Sequence, residues 1–280
     1  MTSVDLTIKY FVMNNIPENF RCAILDKYPN AQNFRIPDVC GTKKNIVFAD
    51  IGNKTRVFKF GNQGIIGKNE FVSMVYRMNK IPVPNISACQ YGDIFFEEYE
   101  MLPGKTLFEA IRDGMPADKI KCIYCEILES MVKISKISPS ILGNHPYRHV
   151  HTVAREHVTN VNNATLGNIC MALVYMANIG AKNDKAIIHY DITPKNTIVS
   201  NSGHLVGFVD LDSVAIGDIN FMFGAMAAKY TQLGFDINEL FDYLKKISTK
   251  KINRARVHTM ANANNLGKKI LWNCAQSKIR

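Results

Sequence analysis

The chain has 280 residues, of which 47% are hydrophobic and 21% charged, an ordinary composition for a globular protein of one large domain or two lobes. No apolar run approaches the roughly 20 residues of a membrane-spanning helix, and the N-terminus lacks the basic and apolar regions of a secretory signal, so a cytoplasmic protein is expected. The formal net charge is +10, and the segment from Tyr243 to Arg280 accounts for all of it, because it holds ten Lys or Arg and no acid.

Two features of the composition have alternative explanations. Seven cysteines without a framework spacing are typical of reduced thiols, and the pair Cys122 and Cys125 lies in a helix-period run that favours half-buried helix residues over a metal or redox site. The basic segment is most simply a solvated helical face. The alternative is a surface for an anionic partner, such as a phosphorylated acceptor, a membrane or a nucleic acid, although no nucleic-acid-binding motif accompanies it.

The first third of the chain predicts helices followed by a small sheet. Residues 1 to 30 are compatible with two short helices, the second near 19 to 27. From Phe34 the pattern changes to three strands, FRIPDV, NIVFADI and TRVFKF, separated by turns. Short β-branched and aromatic runs bounded by turn residues predict an antiparallel meander.

The third of these strands carries Lys59 between Phe58 and Phe60. A lysine at such a position can reach the α and β phosphates of a nucleotide when a carboxylate holds it in place. The helix-period run that follows, NEFVSMVYRMNK, supplies Glu70 as the candidate carboxylate. The simpler alternative is a surface salt bridge between the two.

A different nucleotide site is excluded in the same region. The segment GNQGIIGKN, residues 61 to 69, looks like a phosphate-binding P-loop. It has five residues instead of four between Gly61 and Gly67, and Asn69 replaces the Ser or Thr that would bind magnesium. The earlier turn CGTKKN has a single glycine, so it is not a glycine-rich phosphate loop either.

The middle of the chain predicts one more strand and then helices. The strand in GDIFFEEYEMLPG ends near Tyr99 and Glu100, and Pro103 and Gly104 break the pattern before the helical run TLFEAIRDG. Further helix-period runs follow at about 116 to 136, 148 to 162 and 165 to 180. Their apolar stripes are expected to pack against one another.

The residues 187 to 211 carry most of the chemistry. They place His189, Asp191 and Asn196 in the order H-x-D-x-x-x-x-N, and a hairpin signal at Asn-Ser-Gly precedes an apolar run that ends in Asp210. Phosphoryl transfer needs a carboxylate that orients the attacking hydroxyl, and an Asn and an Asp that hold metal ions. The alternative is a set of ordinary turn residues between buried strands.

These residues carry a family resemblance. The segment HYDITPKN followed by VDLD resembles the catalytic and metal-binding loops of the protein-kinase-like superfamily, and the order of Lys59, Glu70 and IPVPNI resembles its aminoglycoside phosphotransferase and choline kinase branch. About 89 residues separate Glu100 from His189, and Gly217 and Asp218 follow Asp210 closely. Both spacings are similar to those of the small-molecule branch, and the second leaves no room for a long activation segment.

The resemblance implies an α+β, two-lobed protein-kinase-like fold, in which residues 1 to 102 form a nucleotide-binding lobe and residues 103 to 280 a catalytic and acceptor-binding lobe. The first lobe is expected to contain a small antiparallel sheet with one main helix. The second is expected to be mostly helical with a catalytic hairpin. Asp218 is expected to cap the helix that begins at Ile219, and His189 to brace the catalytic loop.

The resemblance also implies roles for single residues. Asp191 would be the catalytic base, and Asn196 and Asp210 would hold Mg²⁺. Lys59, fixed by Glu70, would bind the phosphates of ATP, with GTP as the alternative nucleotide. The backbone groups of Glu100 and Leu102 would contact the adenine edge.

The sequence does not identify the acceptor of the phosphoryl group. A hydroxyl of a small molecule, an antibiotic or a metabolite, is the expected substrate. A polycationic aminoglycoside is not favoured, since Asp236, Glu239 and Asp242 are the only acids after Asp218. The alternatives are an atypical protein kinase acting on a host or partner protein, and a nucleotide-binding pseudokinase scaffold.

Overall fold

The structure is a computed structural model that describes residues 16–37, 45–142 and 186–262. Two compact units divide the chain. The first contains the described residues of Met1–Met78 and Val83–Pro103, and the second those of Asn79–Pro82 and Gly104–Arg280. The chain therefore passes from one unit to the other three times.

The first unit contains a five-stranded antiparallel sheet with the strand order β1-β2-β3-β5-β4, together with two helices. In chain order its elements are α1 (Glu18–Lys27), β1 (Gln32–Arg35), β2 (Ile46–Ile51), β3 (Lys54–Gly61), α2 (Gln63–Met78), β4 (Ser87–Tyr91) and β5 (Ile94–Glu100).

The meander predicted from the sequence is confirmed. Strands β1, β2 and β3 pair consecutively and antiparallel, and β2 runs against β3 in an unbroken register from Ile46 opposite Lys59 to Ile51 opposite Lys54. Helix α1 confirms the prediction near residues 19 to 27. The first predicted helix and most of the turn CGTKKN lie outside the described residues.

One face of the sheet packs against α1 and forms an apolar core. Phe58, Phe60 and Phe96 project into it with Ile24 of the helix, and all four are buried. The ring of Phe20 stacks on Phe60 with centroids 3.7 Å apart. The alternation of side chains along β3 and β5 therefore sends the aromatic residues to this face and leaves the intervening residues for the other.

A charged cluster lies at the edge of this core. The Glu98 side chain is only 4% exposed, and its Oε1 accepts hydrogen bonds from Lys27 Nζ at 2.9 Å, Tyr28 OH at 2.9 Å and Arg56 Nη2 at 3.2 Å. Burial by itself would lower the pKa of Lys27, but hydrogen bonds to Glu98 and Cys89 raise it above its ordinary value. Since a buried carboxylate is costly unless it is paired, this cluster fixes α1 on the sheet.

The second unit is mixed, with helices around two small sheets. The sheets have the strand orders β6-β8-β9 and β10-β7. Its regular elements are β6 (Lys105–Thr106), α3 (Leu107–Arg112), α4 (Ala117–Lys136), β7 (Ala186–His189), β8 (Thr197–Val199), β9 (Leu205–Phe208), β10 (Val214–Gly217), α5 (Ile219–Gln232) and α6 (Ile237–Ile247). Short 3₁₀ turns follow α4 and β9, and residues 254–262 are helical.

Helices α3 and α5 begin at side chains that cap them. Thr106 and Glu109 form a reciprocal capping box at α3, and Asp218 caps α5 by accepting from the backbone N–H of Asn220 at 2.9 Å, as predicted. Helix α4 confirms the run predicted at 116 to 136 and contains Cys122 and Cys125. The runs at 148 to 162 and 165 to 180 lie outside the described residues.

Part of the basic segment serves the fold of this unit. Lys250 Nζ donates to the carbonyl oxygen of Ser135 at 2.5 Å, and Arg256 pairs with the buried Asp218 at 3.1 Å. Residues 263 to 280 lie outside the described part of the chain. Within the described part, no helix combines the length and apolarity that crossing a bilayer requires.

Gly104 makes the tightest backbone approach in this unit. Its φ is +124°, and a Cβ there would lie 2.2 Å from the carbonyl oxygen of Val199, because β6 pairs with β8 directly beside it. We expect Gly104→Ala to lower the free energy of unfolding by about 3 kcal/mol, since it combines backbone strain with a clash against rigid backbone. Urea unfolding of the purified variant measures the loss.

Gly114→Ala is the matched control for this substitution. Gly114 also has a positive φ, +86°, but a Cβ there would meet no atom within 4 Å. It should cost only the conformational penalty of about 1 kcal/mol. If both variants lose the same free energy of unfolding, the close approach to Val199 does not determine the cost of Gly104→Ala.

Candidate active site

The candidate catalytic loop begins at the end of a buried strand. All four residues of β7 are buried, and β7 pairs antiparallel with β10, with His189 opposite Val214. The chain then turns through Asp191 and Pro194 to Asn196, whose N–H donates to the carbonyl oxygen of Thr193 at 3.0 Å. A rigid strand therefore presents the loop.

Asp191 and Asn196 are joined directly. The side-chain nitrogen of Asn196, Nδ2, donates to Asp191 Oδ2 at 2.9 Å and to the Asp191 carbonyl oxygen at 3.1 Å. These two bonds fix the direction of the carboxylate. Both use the amide nitrogen, so the oxygen Oδ1 of Asn196 is the atom with which it can ligate a cation.

Asp210 lies at the same end of the hairpin as Asn196. Strands β8 and β9 pair antiparallel, with Thr197 opposite Phe208, which confirms the hairpin predicted from the Asn-Ser-Gly turn. One step beyond this pair, the N–H of Val209 donates to the carbonyl oxygen of Asn196 at 2.9 Å. Asp210 follows immediately.

The backbone of Asp210 is in the left-handed region, with φ 65°. Asp and Asn tolerate this conformation better than most residues. Nε2 of the buried His189 lies 3.3 Å from the Asp210 carbonyl oxygen, so the histidine braces the backbone that carries the carboxylate.

The donor set suits a hard divalent cation. The carboxylate of Asp210 and the amide oxygen of Asn196 are oxygen donors of the kind that Mg²⁺ binds, and Mg²⁺ usually completes its shell with water and substrate phosphates. No group of three or more His, Cys, Asp or Glu side chains that could hold a metal occurs among the described residues. A site with these two oxygen donors suits an ion that also binds the phosphates of a substrate.

The first unit holds Lys59 on the face of the sheet opposite α1. Lys59 is 8% exposed, and across the pair β3 and β5 it stands directly opposite Glu97, which is 1% exposed. Side chains that face each other in this way have Cβ atoms roughly 4.5 to 5.5 Å apart. Glu97 was not among the residues singled out from the sequence.

Glu70 occupies a different environment. Its side chain is exposed, and Oε1 accepts the backbone N–H of Ala88 in β4 at 2.9 Å. The buried face of α2 instead includes Lys68 and Asn69. Asn69 Nδ2 donates to Glu97 Oε2 at 2.6 Å.

Helix α2 also accounts for the segment that looked like a P-loop. The helix begins at Gln63, so most of residues 61 to 69 form its first turns and not a phosphate-binding loop. The exclusion of a P-loop is confirmed.

Glu100 and Leu102 end the first unit. Glu100 is the last residue of β5, and its side chain pairs with Lys54 at 2.7 Å, where both groups are exposed. Between them, the N–H of Met101 donates to the Thr55 carbonyl oxygen at 2.9 Å. Leu102 follows in a linker without regular structure, where its backbone groups are not part of the sheet.

Comparisons with known proteins reveal similarity in structure but not in sequence. No family model and no curated protein matches the chain. Among solved structures, choline kinase LicA from Streptococcus pneumoniae has a TM-score of 0.61 at 14% identity, with 93% of this chain and 91% of that chain covered.

Two aminoglycoside phosphotransferases are similar to the same degree. APH(3'')-Id from Streptomyces rimosus, in complex with ADP and streptomycin, has a TM-score of 0.65 at 12% identity and covers 89% of this chain and 98% of its own. The GDP complex of aminoglycoside 2'-phosphotransferase-IIIa has a TM-score of 0.65 at 14% identity, with 90% and 89% covered. The chain thus has the α+β, two-lobed kinase-like fold of small-molecule kinases, as the sequence predicted.

Proposed function

We propose that the protein is an ATP- and Mg²⁺-dependent phosphotransferase that phosphorylates a hydroxyl group of a small molecule. The observation that carries the proposal is the hairpin, which has Asn196 and Asp210 at the same end of its two strands, together with the 2.9 Å hydrogen bond from Asn196 to Asp191. A base and two oxygen ligands for a cation are the groups that phosphoryl transfer requires.

In the proposed reaction the acceptor hydroxyl attacks the γ-phosphorus of ATP. A bond forms between the acceptor oxygen and phosphorus, the bond to the β,γ-bridging oxygen breaks, and ADP leaves with that electron pair. Asp191 orients the hydroxyl and takes its proton. The bond from Asn196 supports this role, since positioning supplies much of the rate in this chemistry.

Asn196 and Asp210 are the residues that would hold Mg²⁺, through Oδ1 and a carboxylate oxygen. When bound, the ion neutralises charge that develops on the phosphate oxygens. Bracing of Asp210 by His189 limits the directions in which that carboxylate can point. The two side chains need no third protein ligand, because phosphate oxygens and water complete an octahedral shell.

The nucleotide contacts are proposed for the first unit. Lys59 would bind the α and β phosphates, with Glu70 as the carboxylate that the sequence suggests for it, and backbone groups of Glu100 and Leu102 would contact the base. Structural neighbours were determined with ADP, GDP and AMP, which supports nucleotide binding. ATP is the first choice and GTP the alternative.

The test is a set of binding and turnover measurements on the purified protein. Titration calorimetry with ATP and GTP, each with and without Mg²⁺, should show nucleotide binding that Mg²⁺ strengthens. ADP release is then scored across sugars, choline-like alcohols, thiamine-like alcohols and antibiotics, and across intact proteins. One class of small alcohol should accelerate ADP release and appear as a phosphate monoester by ³¹P NMR.

Three other outcomes of these measurements would contradict the proposed function. Acceleration only by intact proteins would identify a protein kinase. Nucleotide binding without any transfer, including to water, would identify a scaffold. A protein that binds neither ATP nor GTP in the presence of Mg²⁺ would refute the proposed function.

A further inference from the structure

The face of the sheet that carries Lys59 contains a group of buried polar side chains. Lys59, Lys68, Asn69 and Glu97 are each between 0% and 8% exposed. A buried ion is expensive unless an opposite charge or several hydrogen bonds compensate it. Glu97 is the one carboxylate among these four side chains, so it is the acid within this group that can compensate a buried lysine.

Two adjacent acids in β5 have opposite surroundings. Glu98 points to the α1 face, where Lys27, Tyr28 and Arg56 bind it. Glu97 points to the other face, because side chains alternate along a strand. Among the buried residues that the structure describes in this unit, Glu97 is therefore the one acid that shares a face with Lys59.

Glu97 is also held in place. It stands opposite Lys59 in the strand register, and Asn69 donates to its Oε2 at 2.6 Å. Glu70, by contrast, is exposed, and its carboxylate is occupied by the backbone N–H of Ala88. An exposed carboxylate is screened by water and holds a buried ammonium ion weakly.

We infer that Glu97, oriented by Asn69, is the carboxylate that positions Lys59 for the nucleotide phosphates, and that Glu70 is not. This inference rests on the proposed function. Both Lys59 and Glu97 belong to neighbouring strands of one sheet, so hydrogen bonds between β3 and β5 fix their separation. Helix α2 contributes through Asn69, which directs the carboxylate but does not supply the charge.

The test compares nucleotides with and without phosphates. Glu97→Gln keeps the shape of the side chain and removes its charge. It should weaken the binding of Mg²⁺–ATP by about tenfold, which is the effect of losing one charge-assisted hydrogen bond. The affinity for adenosine, which has no phosphate, should stay within about twofold of the wild-type value if the residue acts through Lys59.

Glu98→Gln is the matched control. It replaces the next residue of the same strand, of the same type and nearly the same burial, but on the face that α1 covers. It should lower thermal stability and leave the ATP affinity unchanged. A loss of ATP affinity as large as that of Glu97→Gln would mean that any buried acid in β5 acts through stability, and the inference would be overturned.

Two further comparisons test whether Glu97 acts through Asn69 and Lys59. Asn69→Asp combined with Glu97→Gln returns a carboxylate to the same hydrogen-bonded pair and should recover part of the ATP affinity. Lys59→Met should lose ATP affinity by itself, and adding Glu97→Gln to it should cause no further loss, because coupled residues are not additive.

Besides the result named for Glu98→Gln, three results would overturn the inference. Unchanged ATP affinity in Glu97→Gln, or a larger loss in Glu70→Gln than in Glu97→Gln, would do so while leaving the proposed function intact. An additive loss in the Lys59→Met background would show that Glu97 does not act through Lys59. Failure of the wild-type protein to bind ATP or GTP would remove the proposed function, and this inference with it.

Discussion

Asp191→Asn is expected to lower kcat by about two to four orders of magnitude, the contribution that a positioned general base makes to a reaction. The substitution keeps an oxygen that can accept the hydrogen bond from Asn196 Nδ2, which is 2.9 Å long in the wild-type protein. The loop geometry should therefore persist while the ability to take a proton is lost. Initial rates of ADP release with saturating ATP and acceptor measure the effect.

The affinity for ATP distinguishes a chemical role from a structural one. If Asp191 acts only on the acceptor hydroxyl, the dissociation constant of Mg²⁺–ATP should change by less than about threefold in Asp191→Asn. Wild-type turnover in the variant would refute the assignment of the base. A large loss of ATP binding would assign Asp191 to the nucleotide instead.

Asp210→Asn is expected to weaken the binding of Mg²⁺–ATP by about a hundredfold. Replacing even the residues that support metal ligands typically costs ten- to a hundredfold in metal affinity, and here the charged ligand itself is replaced. Asn is the appropriate substitute because residue 210 has φ 65°, which Asn adopts readily and Ala does not. An Ala variant would add backbone strain to the loss of the ligand.

The metal ion provides the control for this prediction. ATP titrations in EDTA should give the same weak affinity for the wild-type protein and Asp210→Asn, since neither then has a cation to hold. Titrations over a range of Mg²⁺ concentrations should shift the variant to higher Mg²⁺. A variant that retains wild-type affinity at every Mg²⁺ concentration would show that Asp210 is not a ligand.

The hairpin could be predicted because its signals are local. Turn residues at 201 to 203 and short apolar runs on either side specify both strands and their antiparallel pairing. Once the hairpin is known, Asn196 and Asp210 must lie at one end. The hydrogen bond from Asn196 to Asp191 could not be read in the same way, because it depends on the path of the loop around Pro194.

The surroundings of Lys59 were harder to predict. Helix α2 begins at Gln63, six residues before the run that the sequence marks as helical, and it buries Lys68 and Asn69. The buried face of a helix is normally recognised in the sequence by its apolar residues. Because Lys68 and Asn69 lie on that face here, the apolar pattern does not identify it. The sequence does not mark Glu97 for a related reason, because a single acid inside an apolar strand forms no periodic pattern of polar residues.

A carboxylate that positions Lys59 from within the sheet would have a consequence for regulation. In protein kinases the equivalent carboxylate comes from a helix, and the position of that helix controls activity. If Glu97 fills this role, a shift of α2 would remove the hydrogen bond from Asn69 but would leave the charge opposite Lys59. The carboxylate opposite Lys59 would then stay in the sheet when the helix moves, and only its orientation would be lost.

The adjacent acids of β5 also restrict how the strand can change in length. The side chains of Glu97 and Glu98 bind partners on opposite faces of the sheet. A shift of the strand register by one residue would move each side chain to the other face. Each carboxylate would then be buried away from its own donors, and Phe96 would leave the aromatic core. An insertion or deletion of a single residue between Ile94 and Tyr99 should therefore destabilise the first unit.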